Sequence, residues 1–200
     1  MPLFIIRAHF SQLIFQTKYF KTITVDKGYL FLKKNGLYQI LSFLKFYVTA
    51  TNQHGVHSPF VYDYVTKCLY KKEKIRLPVS TKVLVKSILY FNYQSVRLLT
   101  ANKNLEKDIF DHCPNVNFTQ ENPIVIIGSV NEILHSKILD QKLENRTMLF
   151  IDKIHKNQNT FEQWKHIQSH NQVTVTIDLF YCGLVFVRKE QVKEHFKIRI

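Results

Sequence analysis

Apolar side chains recur at helical spacing in the first third of the chain. Between residues 29 and 50 they fall every three or four positions, which predicts one amphipathic helix that Gly36 interrupts near its start. A second helix is predicted over residues 59–70, because Ser58 is a favoured N-cap residue and Pro59 suits the first helical position. The chain therefore begins with helices.

Short apolar runs alternate with amphipathic segments from about residue 82 onward. The runs predict strands at 95–99, 116–118, 123–127 and 147–151, and the intervening segments predict helices at 82–91, 105–112, 131–143 and 160–169. The run at 123–127 is continuous and β-branched, as in a central strand that is buried on both faces. This alternation is typical of an α/β fold with a mostly parallel sheet.

The last thirty residues have a different pattern. Residues 173–177 alternate between apolar and polar, residues 184–187 form a second apolar run, and Gly183 lies in the predicted link between them. We therefore expect a C-terminal antiparallel hairpin at the end of the parallel sheet.

Glycine is scarce where a nucleotide-binding α/β domain needs it. The five glycines include no Gly-x-Gly pattern, and the turn after the first predicted strand, residues 98–104, contains none. Such turns use glycine because the backbone must approach the ligand closely. The predicted fold is therefore typical of nucleotide-binding domains, but this turn lacks the glycines that a cofactor site there would need.

The positive charge of the chain is unevenly distributed. The net charge is +13, and residues 1–120 carry 17 Lys/Arg against 6 Asp/Glu, whereas residues 121–200 carry 11 against 9. A basic N-terminal half fits nucleic acid or an anionic membrane surface as partner. The alternative is an ordinary solvated surface, since the lysines are scattered rather than grouped in blocks.

Cysteine content and hydropathy indicate the compartment. Cys68, Cys113 and Cys182 are isolated and odd in number, so we expect no disulfides, no metal site and a reducing, cytoplasmic location. No apolar run reaches the roughly 18–20 residues that span a bilayer.

Residues 1–25 contain no acid and many aromatics, which fits either an interfacial helix or a non-native extension through residue 27 from an upstream start codon. We divide the chain into a basic helical segment, 1–50, and an α/β domain, 51–200.

Three stretches are similar to one known family. Residues 50–67 (ATNQHGVHSPFVYDYVTK), 149–155 (LFIDKIH) and 173–199 (VTVTIDLFYCGLVFVRKEQVKEHFKIR) resemble bacterial class I S-adenosylmethionine-dependent methyltransferases. Together the stretches comprise about a quarter of the chain. The resemblance implies a Rossmann-like methyltransferase sandwich, S-adenosylmethionine as cofactor and an unidentified methyl acceptor.

The middle of the chain departs from that family. The Glu-Leu-Gly-Thr-Ser-like turn of the family corresponds to residues 97–102, where the acid and the glycines are absent, and its Asp-Gly-Asn-His segment corresponds to residues 128–131. The resemblance thus implies Thr100, Ala101, Asn102 and Gly128 as the cofactor-binding residues. No acid is visible for the cofactor ribose, and residues 98–127 are too few for the family pattern. We predict a reduced fold that lacks about one strand–helix unit, which seven strands with an open pocket at residues 100–104 would contradict.

Candidate catalytic residues follow the run at 147–151. By the resemblance, Asp152 and His155 match an Asp and a His of the family, and Lys153 replaces a second Asp. His155 would titrate near neutral pH and so suits general acid–base chemistry. The alternative is that Asp152 caps a loop and His155 only packs nearby. His57, with its neighbours His54 and Ser58, is expected near the same cleft, and no acid is placed to complete a Ser–His–acid set.

Two functions follow from these observations. The first is a S-adenosylmethionine-dependent methyltransferase. The second is an inactive methyltransferase remnant that binds a protein or nucleic-acid partner. Loss of the glycines and of the ribose acid would cost several kcal/mol, and each 1.4 kcal/mol is about tenfold in affinity. Cofactor binding is therefore expected to be weakened or lost.

Overall fold

The computed structural model describes the backbone of residues 23–200 and the side chains of residues 36–200. The interpretations of residues 1–22 lie outside the described residues. The chain divides into two compact units, Met1–Leu41 and Ser42–Ile200. This division falls nine residues before the boundary predicted after residue 50.

The first helix, α1, comprises Ile23–Thr49 and is interrupted at Gly36. Gly36 has φ 65° and ψ 167°, a conformation that only glycine adopts without strain, so the predicted interruption is confirmed. A short 3₁₀ turn, Gln53–Gly55, follows α1.

Five further helices surround the sheet. They are α2 (Pro59–Tyr64), α3 (Val79–Phe91), α4 (Lys103–His112), α5 (Val130–His135) and α6 (Gln158–Ser169). Ser58 caps α2 by accepting a hydrogen bond from the Val61 N–H at 3.5 Å, and a π-helical turn, Val65–Leu69, continues α2 almost to the predicted end. The predicted helix over 131–143 is wrong in its second half, because Lys137 takes a left-handed conformation, φ 50°, and a separate 3₁₀ turn follows.

Seven strands form one sheet in the order β2-β1-β3-β4-β6-β5-β7. They are β1 (Ser95–Leu98), β2 (Asn117–Phe118), β3 (Val125–Ser129), β4 (Met148–Asp152), β5 (Val175–Asp178), β6 (Cys182–Phe186) and β7 (Glu194–Lys197). Strand β6 is antiparallel to both β4 and β5, and the other pairs are parallel. The expected α/β fold, with a mostly parallel sheet and an antiparallel C-terminal hairpin, is confirmed.

Both faces of the central strands are buried. On β3, Val125 and Ile127 join a core cluster with α2 and α3, whereas Ile126 joins a second cluster with α5 and α6. On β4, Phe150 and Leu149 divide between the two clusters in the same way. The continuous apolar runs in the sequence follow directly from this three-layer arrangement.

The predicted loss of a strand–helix unit is wrong by the criterion stated above, since seven strands and a pocket beside Thr100 are present. The unexpected strand, β7, lies at the edge opposite β2, and its sequence has a single apolar residue, Phe196. The stretch between residues 98 and 127 is nevertheless short for the elements that it contains. Strand β2 has two residues, and only residues 119–124 connect it to β3, whereas parallel crossovers usually need a dozen or more.

The prediction that Gly183 lies in the link of the hairpin is wrong. Gly183 lies inside β6, opposite Ile151 of β4. A Cβ at this position would come within 2.7 Å of the buried Trp164 ring and 3.1 Å of Ile154. Gly183 therefore leaves the space that Trp164 occupies against the sheet.

Candidate functional site

A crevice of the described residues lies where the strand order reverses. Strand β1 is followed by β2 on one side, and β3 by β4 on the other, so the sheet switches direction between β1 and β3. Open α/β sheets bind ligands at this point, beyond the carboxyl ends of the strands. The crevice has a volume of about 700 Å³, within the range of about 300–1,000 Å³ that is usual for small-molecule sites.

The turn after β1 forms one wall of the crevice. Thr100, Ala101 and Asn102 are exposed and line it. The Asn102 side chain accepts a hydrogen bond from the Leu105 N–H at 3.1 Å and thereby starts α4. The side-chain oxygen of Asn102 is thus engaged in capping α4, whereas Ala101 has only a methyl side chain.

The end of β3 forms the opposite wall. Ser129 and Glu132 make a reciprocal capping box at the start of α5, in which the Ser129 N–H donates to Glu132 Oε2 at 2.6 Å. The Thr100 hydroxyl donates to the other carboxylate oxygen of Glu132, so this one side chain connects the two walls. Desolvation opposes ionisation of Glu132, but hydrogen bonds from the Ser129 N–H, Thr100 and the Ser129 hydroxyl outweigh it and lower its pKa.

Gly128 lines the crevice at the end of β3. A Cβ on Gly128 would lie 3.0 Å from Leu99 Cδ1 and 3.3 Å from Glu132 Cβ. The close contacts around Gly128 thus come from the protein itself, and they already account for a glycine at this position.

The end of β4 contributes Asp152 and Lys153. The Ser80 hydroxyl donates to Asp152 Oδ1 at 2.6 Å, and Lys153 Nζ lies 3.5 Å from Asp152 Oδ2. Both side chains line the crevice, and that of Asp152 is 37% exposed, which leaves its carboxylate accessible to a ligand. Asp152 therefore lies where the sequence analysis expects a site.

Four helices begin at the rim of the crevice. Residues in the first turns of α3, α4, α5 and α6 contribute to its lining, and Asn157 caps α6 by accepting from the Thr160 N–H at 2.8 Å. Helix N-termini carry partial positive charge, and Lys156 adds to it. Carboxylates of Asp108, Glu132 and Asp152 balance this charge, so the lining is polar and of mixed sign.

His155 lies near this edge of the sheet but not in the lining of the crevice. It is 5% exposed and stacks between Phe161 and Phe180, with ring centroids 4.4 Å and 4.7 Å away. His155 Nδ1 is 2.8 Å from Ser42 Oγ, and Nε2 is 2.9 Å from Asp178 Oδ2. Both ring nitrogens are therefore engaged inside the domain.

The structure thus forms a Ser–His–Asp set from Ser42, His155 and Asp178, which the sequence did not reveal. None of the three lines the crevice, and Ser42 is a partly buried residue in the interior of α1. Its own N–H therefore belongs to the helix and not to an oxyanion-binding pair. We therefore interpret the three side chains as a structural contact, which holds α1 to the residues at the ends of β4 and β5. Their geometry does not suit nucleophilic catalysis.

The loop before α2 contributes nothing to the crevice lining. His54 and His57 are exposed, whereas Ser58 is buried, caps α2 and donates to Gln191 Oε1 at 3.1 Å. His57 and His155 are not among the residues that line the crevice, so the structure does not bring them together there. The helix-capping interpretation of Ser58 is the one that the contacts support.

Sequence reasoning missed several crevice residues, among them Ser80, Asp108, Glu132, Lys156 and Asn157. The Ser-x-x-Glu pattern at 129–132 is a capping-box signature and could have identified Glu132. Ser80 and Asp108 reach the crevice only through tertiary packing, which no local pattern reports. Among the described residues, no group of three His, Cys, Asp or Glu side chains is arranged to hold a metal ion.

Comparison with models of known protein families finds none that matches this chain, and comparison with curated proteins finds no match either. Within the described residues, no helix combines the length and the apolar character that crossing a membrane requires.

Proposed function

We propose that this chain is a S-adenosylmethionine-dependent methyltransferase-like protein whose cofactor site is the crevice between β1 and β3. The observation that carries the proposal is the position of that crevice. It lies at the switch point of an α/β sheet, and its lining includes Thr100, Ala101, Asn102 and Gly128, the residues that the family resemblance implies.

The fit to the cofactor is good in size and incomplete in contacts. A crevice of about 700 Å³ accommodates a nucleoside with an amino-acid side arm. Ala101 presents only a methyl group, so the backbone of the turn remains approachable. The rim of helix N-termini and lysines suits a carboxylate, and Thr100 and Asn102 offer polar atoms.

The ribose carboxylate of the family has no counterpart at the expected place. Glu121 is the first acid after β2, and it lines a separate cavity of about 390 Å³ rather than the crevice. Asp108, on α4, is the carboxylate nearest in the chain to the β1 turn that does line the crevice. We assign Asp108 to the ligand hydroxyls, and we expect weaker binding than a Gly-rich site provides.

The acceptor side of the site is assigned to Asp152. When bound, S-adenosylmethionine supplies an electrophilic methyl group. Asp152 is fixed by the Ser80 hydroxyl and remains partly exposed, so it can accept a hydrogen bond from an acceptor O–H or N–H and orient it. Lys153 extends into solvent beside it and favours an acceptor that carries negative charge.

The missing glycines and the Thr100–Glu132 contact across the crevice support a second candidate, an inactive remnant that retains a binding role. In that case the crevice binds a ligand without transferring a methyl group. The two candidates differ in turnover and not in fold.

Calorimetric titration with S-adenosylmethionine and S-adenosylhomocysteine tests the proposal. We expect a dissociation constant between about 10 µM and 1 mM, because the cost of the lost contacts is several kcal/mol. Ala101→Phe places a ring in the crevice and should abolish binding. Lys103→Phe is the matched control, since Lys103 is exposed two residues away and does not line the crevice.

Two results would decide against the proposal. Absence of binding at millimolar cofactor would exclude a cofactor site, and unchanged binding in Ala101→Phe would show that the crevice is not where the cofactor binds. Binding without methyl transfer to any acceptor in a cell extract would favour the remnant over the enzyme.

A further inference from the structure

The outer face of α1 in the second unit is apolar and uncovered. It consists of Leu44, Tyr47 and Val48 together with Lys45, and we call it the α1 outer face. Val48 is 82% exposed and Leu44 is 45% exposed. The opposite side of the same helical segment is already occupied, since Phe46 and Ala50 are buried in the domain.

A helix that is apolar on both sides needs a second partner. Exposed leucine and valine at helical spacing are costly in water and are typical of a contact surface. The same spacing continues along the sequence to Leu41 and Leu37, which are also exposed in the first unit. The remaining question is which partner covers such a face.

The charge around the α1 outer face is basic. From residue 42 to residue 62 the second unit contains Lys45 and no acid. Lys45 is exposed on the face itself, and the guanidinium carbon of Arg199 lies 5.3 Å from the centre of the Tyr47 ring. Arg199 is brought there because its N–H donates to Thr51 O at 3.0 Å, just after the helix ends.

We propose that the α1 outer face docks on an anionic lipid surface. Interfacial helices combine an apolar side with lysine or arginine and an aromatic residue at the boundary, which is the composition found here. Anionic headgroups attract the basic residues, and the outer acyl region covers the leucine and valine.

Two other partners fit the same face less well. A nucleic acid would neutralise Lys45 and Arg199 but would leave Leu44 and Val48 in contact with charged phosphates. A second copy of the helix would cover the apolar residues but would bring like charges together at Lys45. The lipid surface satisfies both parts of the α1 outer face at once.

Co-sedimentation of the full chain with vesicles tests the proposal. Vesicles of three parts phosphatidylcholine to one part phosphatidylserine should bind the protein, and vesicles of phosphatidylcholine alone should bind it much less. Val48→Glu and Leu44→Glu should each reduce partitioning about tenfold or more, because each places a charge where docking would bury apolar area. Lys45→Glu should reduce binding and its dependence on salt.

Matched controls separate docking from misfolding. Val192→Glu changes a valine that is 80% exposed elsewhere on the domain and should leave partitioning unchanged. Lys189→Glu is the corresponding charge control at an exposed lysine. Equal thermal unfolding of the variants and the wild type would show that all of them fold.

Three outcomes would overturn the proposal. The first is no binding of the wild type to anionic vesicles, and the second is binding that Val48→Glu and Leu44→Glu leave unchanged. The third is a dimer in solution that these two substitutions convert to a monomer, which would assign the α1 outer face to a second copy.

Discussion

The sheet has two parts that are built differently. Strands β3, β4, β5 and β6 are buried along almost their whole length, and residues such as Met148, Leu149 and Ile177 have no exposed surface. At the other edge β1 is only partly buried, and β2 consists of two exposed residues. The candidate site lies at the junction between these two parts.

This contrast explains why a mostly parallel α/β sheet can lack a glycine-rich turn after β1. The buried strands fix the position of Gly128, Asp152 and the α6 N-terminus, regardless of what lies beyond β1. The β1 turn and β2 contribute few buried contacts, so changes there cost little stability. We infer that the turn after β1 is the part of the fold most free to change.

The largest effect is expected at the buried Asp178. Asp178→Ala removes the partner of His155 and the acceptor of the Phe180 N–H at 2.8 Å, which leaves buried donors unsatisfied. Denaturant titration should show a loss of about 3 kcal/mol in the free energy of unfolding. Asp63→Ala is the control, because the Asp63–Lys67 pair is exposed and should contribute about 0.3–0.5 kcal/mol. Similar losses of unfolding free energy in the two variants would mean that the buried Asp178 contributes no more to stability than an exposed ion pair does.

A smaller but still large effect is expected at Gly183. Gly183→Ala brings its Cβ within 2.7 Å of the Trp164 ring, which is 1% exposed, so the ring or the strand must shift. The free energy of unfolding should fall by about 2 kcal/mol, the usual cost of overpacking. Asn117→Ala in the exposed strand β2 should change it by less than about 0.5 kcal/mol. A larger loss of unfolding free energy in Asn117→Ala than in Gly183→Ala would contradict the contrast between the buried strands and the β2 edge.

The smallest effect concerns the connection between the two parts, at Glu132. Glu132→Gln keeps the shape of the capping box but removes its charge, and it should cost about 0.5–1 kcal/mol at pH 7. Because folding lowers the pKa of Glu132, its charged form stabilises the protein above the ordinary value of about 4.3, and the benefit disappears as pH falls through the lower folded value.

The stability difference between wild type and Glu132→Gln should therefore shrink as pH falls from 7 to about 3. Urea unfolding at several pH values measures it. A difference that stays constant over this range would mean that the charge of Glu132 does not stabilise the start of α5.

The sequence was most informative where burial is complete. The continuous apolar runs at β3 and β4 indicate strands because strands buried on both faces need such residues. Ser58 was recognised as a cap because the signal is local. Strand β7 was missed because it is an edge strand that alternates partly buried and exposed residues, and an edge strand needs little hydrophobicity.

The site was predictable only in part. Thr100, Ala101, Asn102, Gly128 and Asp152 were named from the resemblance and do line one crevice. The sequence suggests His155 for acid–base chemistry, but its burial depends on Phe180 and Ser42, which are distant in sequence, as well as on the nearby Phe161. Neither the Ser42–His155 contact nor the Ser80–Asp152 contact has a local sequence signal, since they join residues 113 and 72 positions apart.

The central claim is that the crevice between β1 and β3 binds the cofactor, and amide NMR spectra recorded during titration with S-adenosylmethionine test it most directly. The account predicts shifts confined to the carboxyl ends of β1, β3 and β4, including Asn102, Gly128 and Asp152, with the β7 edge unchanged. Shifts centred on another part of the domain, or none at millimolar cofactor, would contradict it.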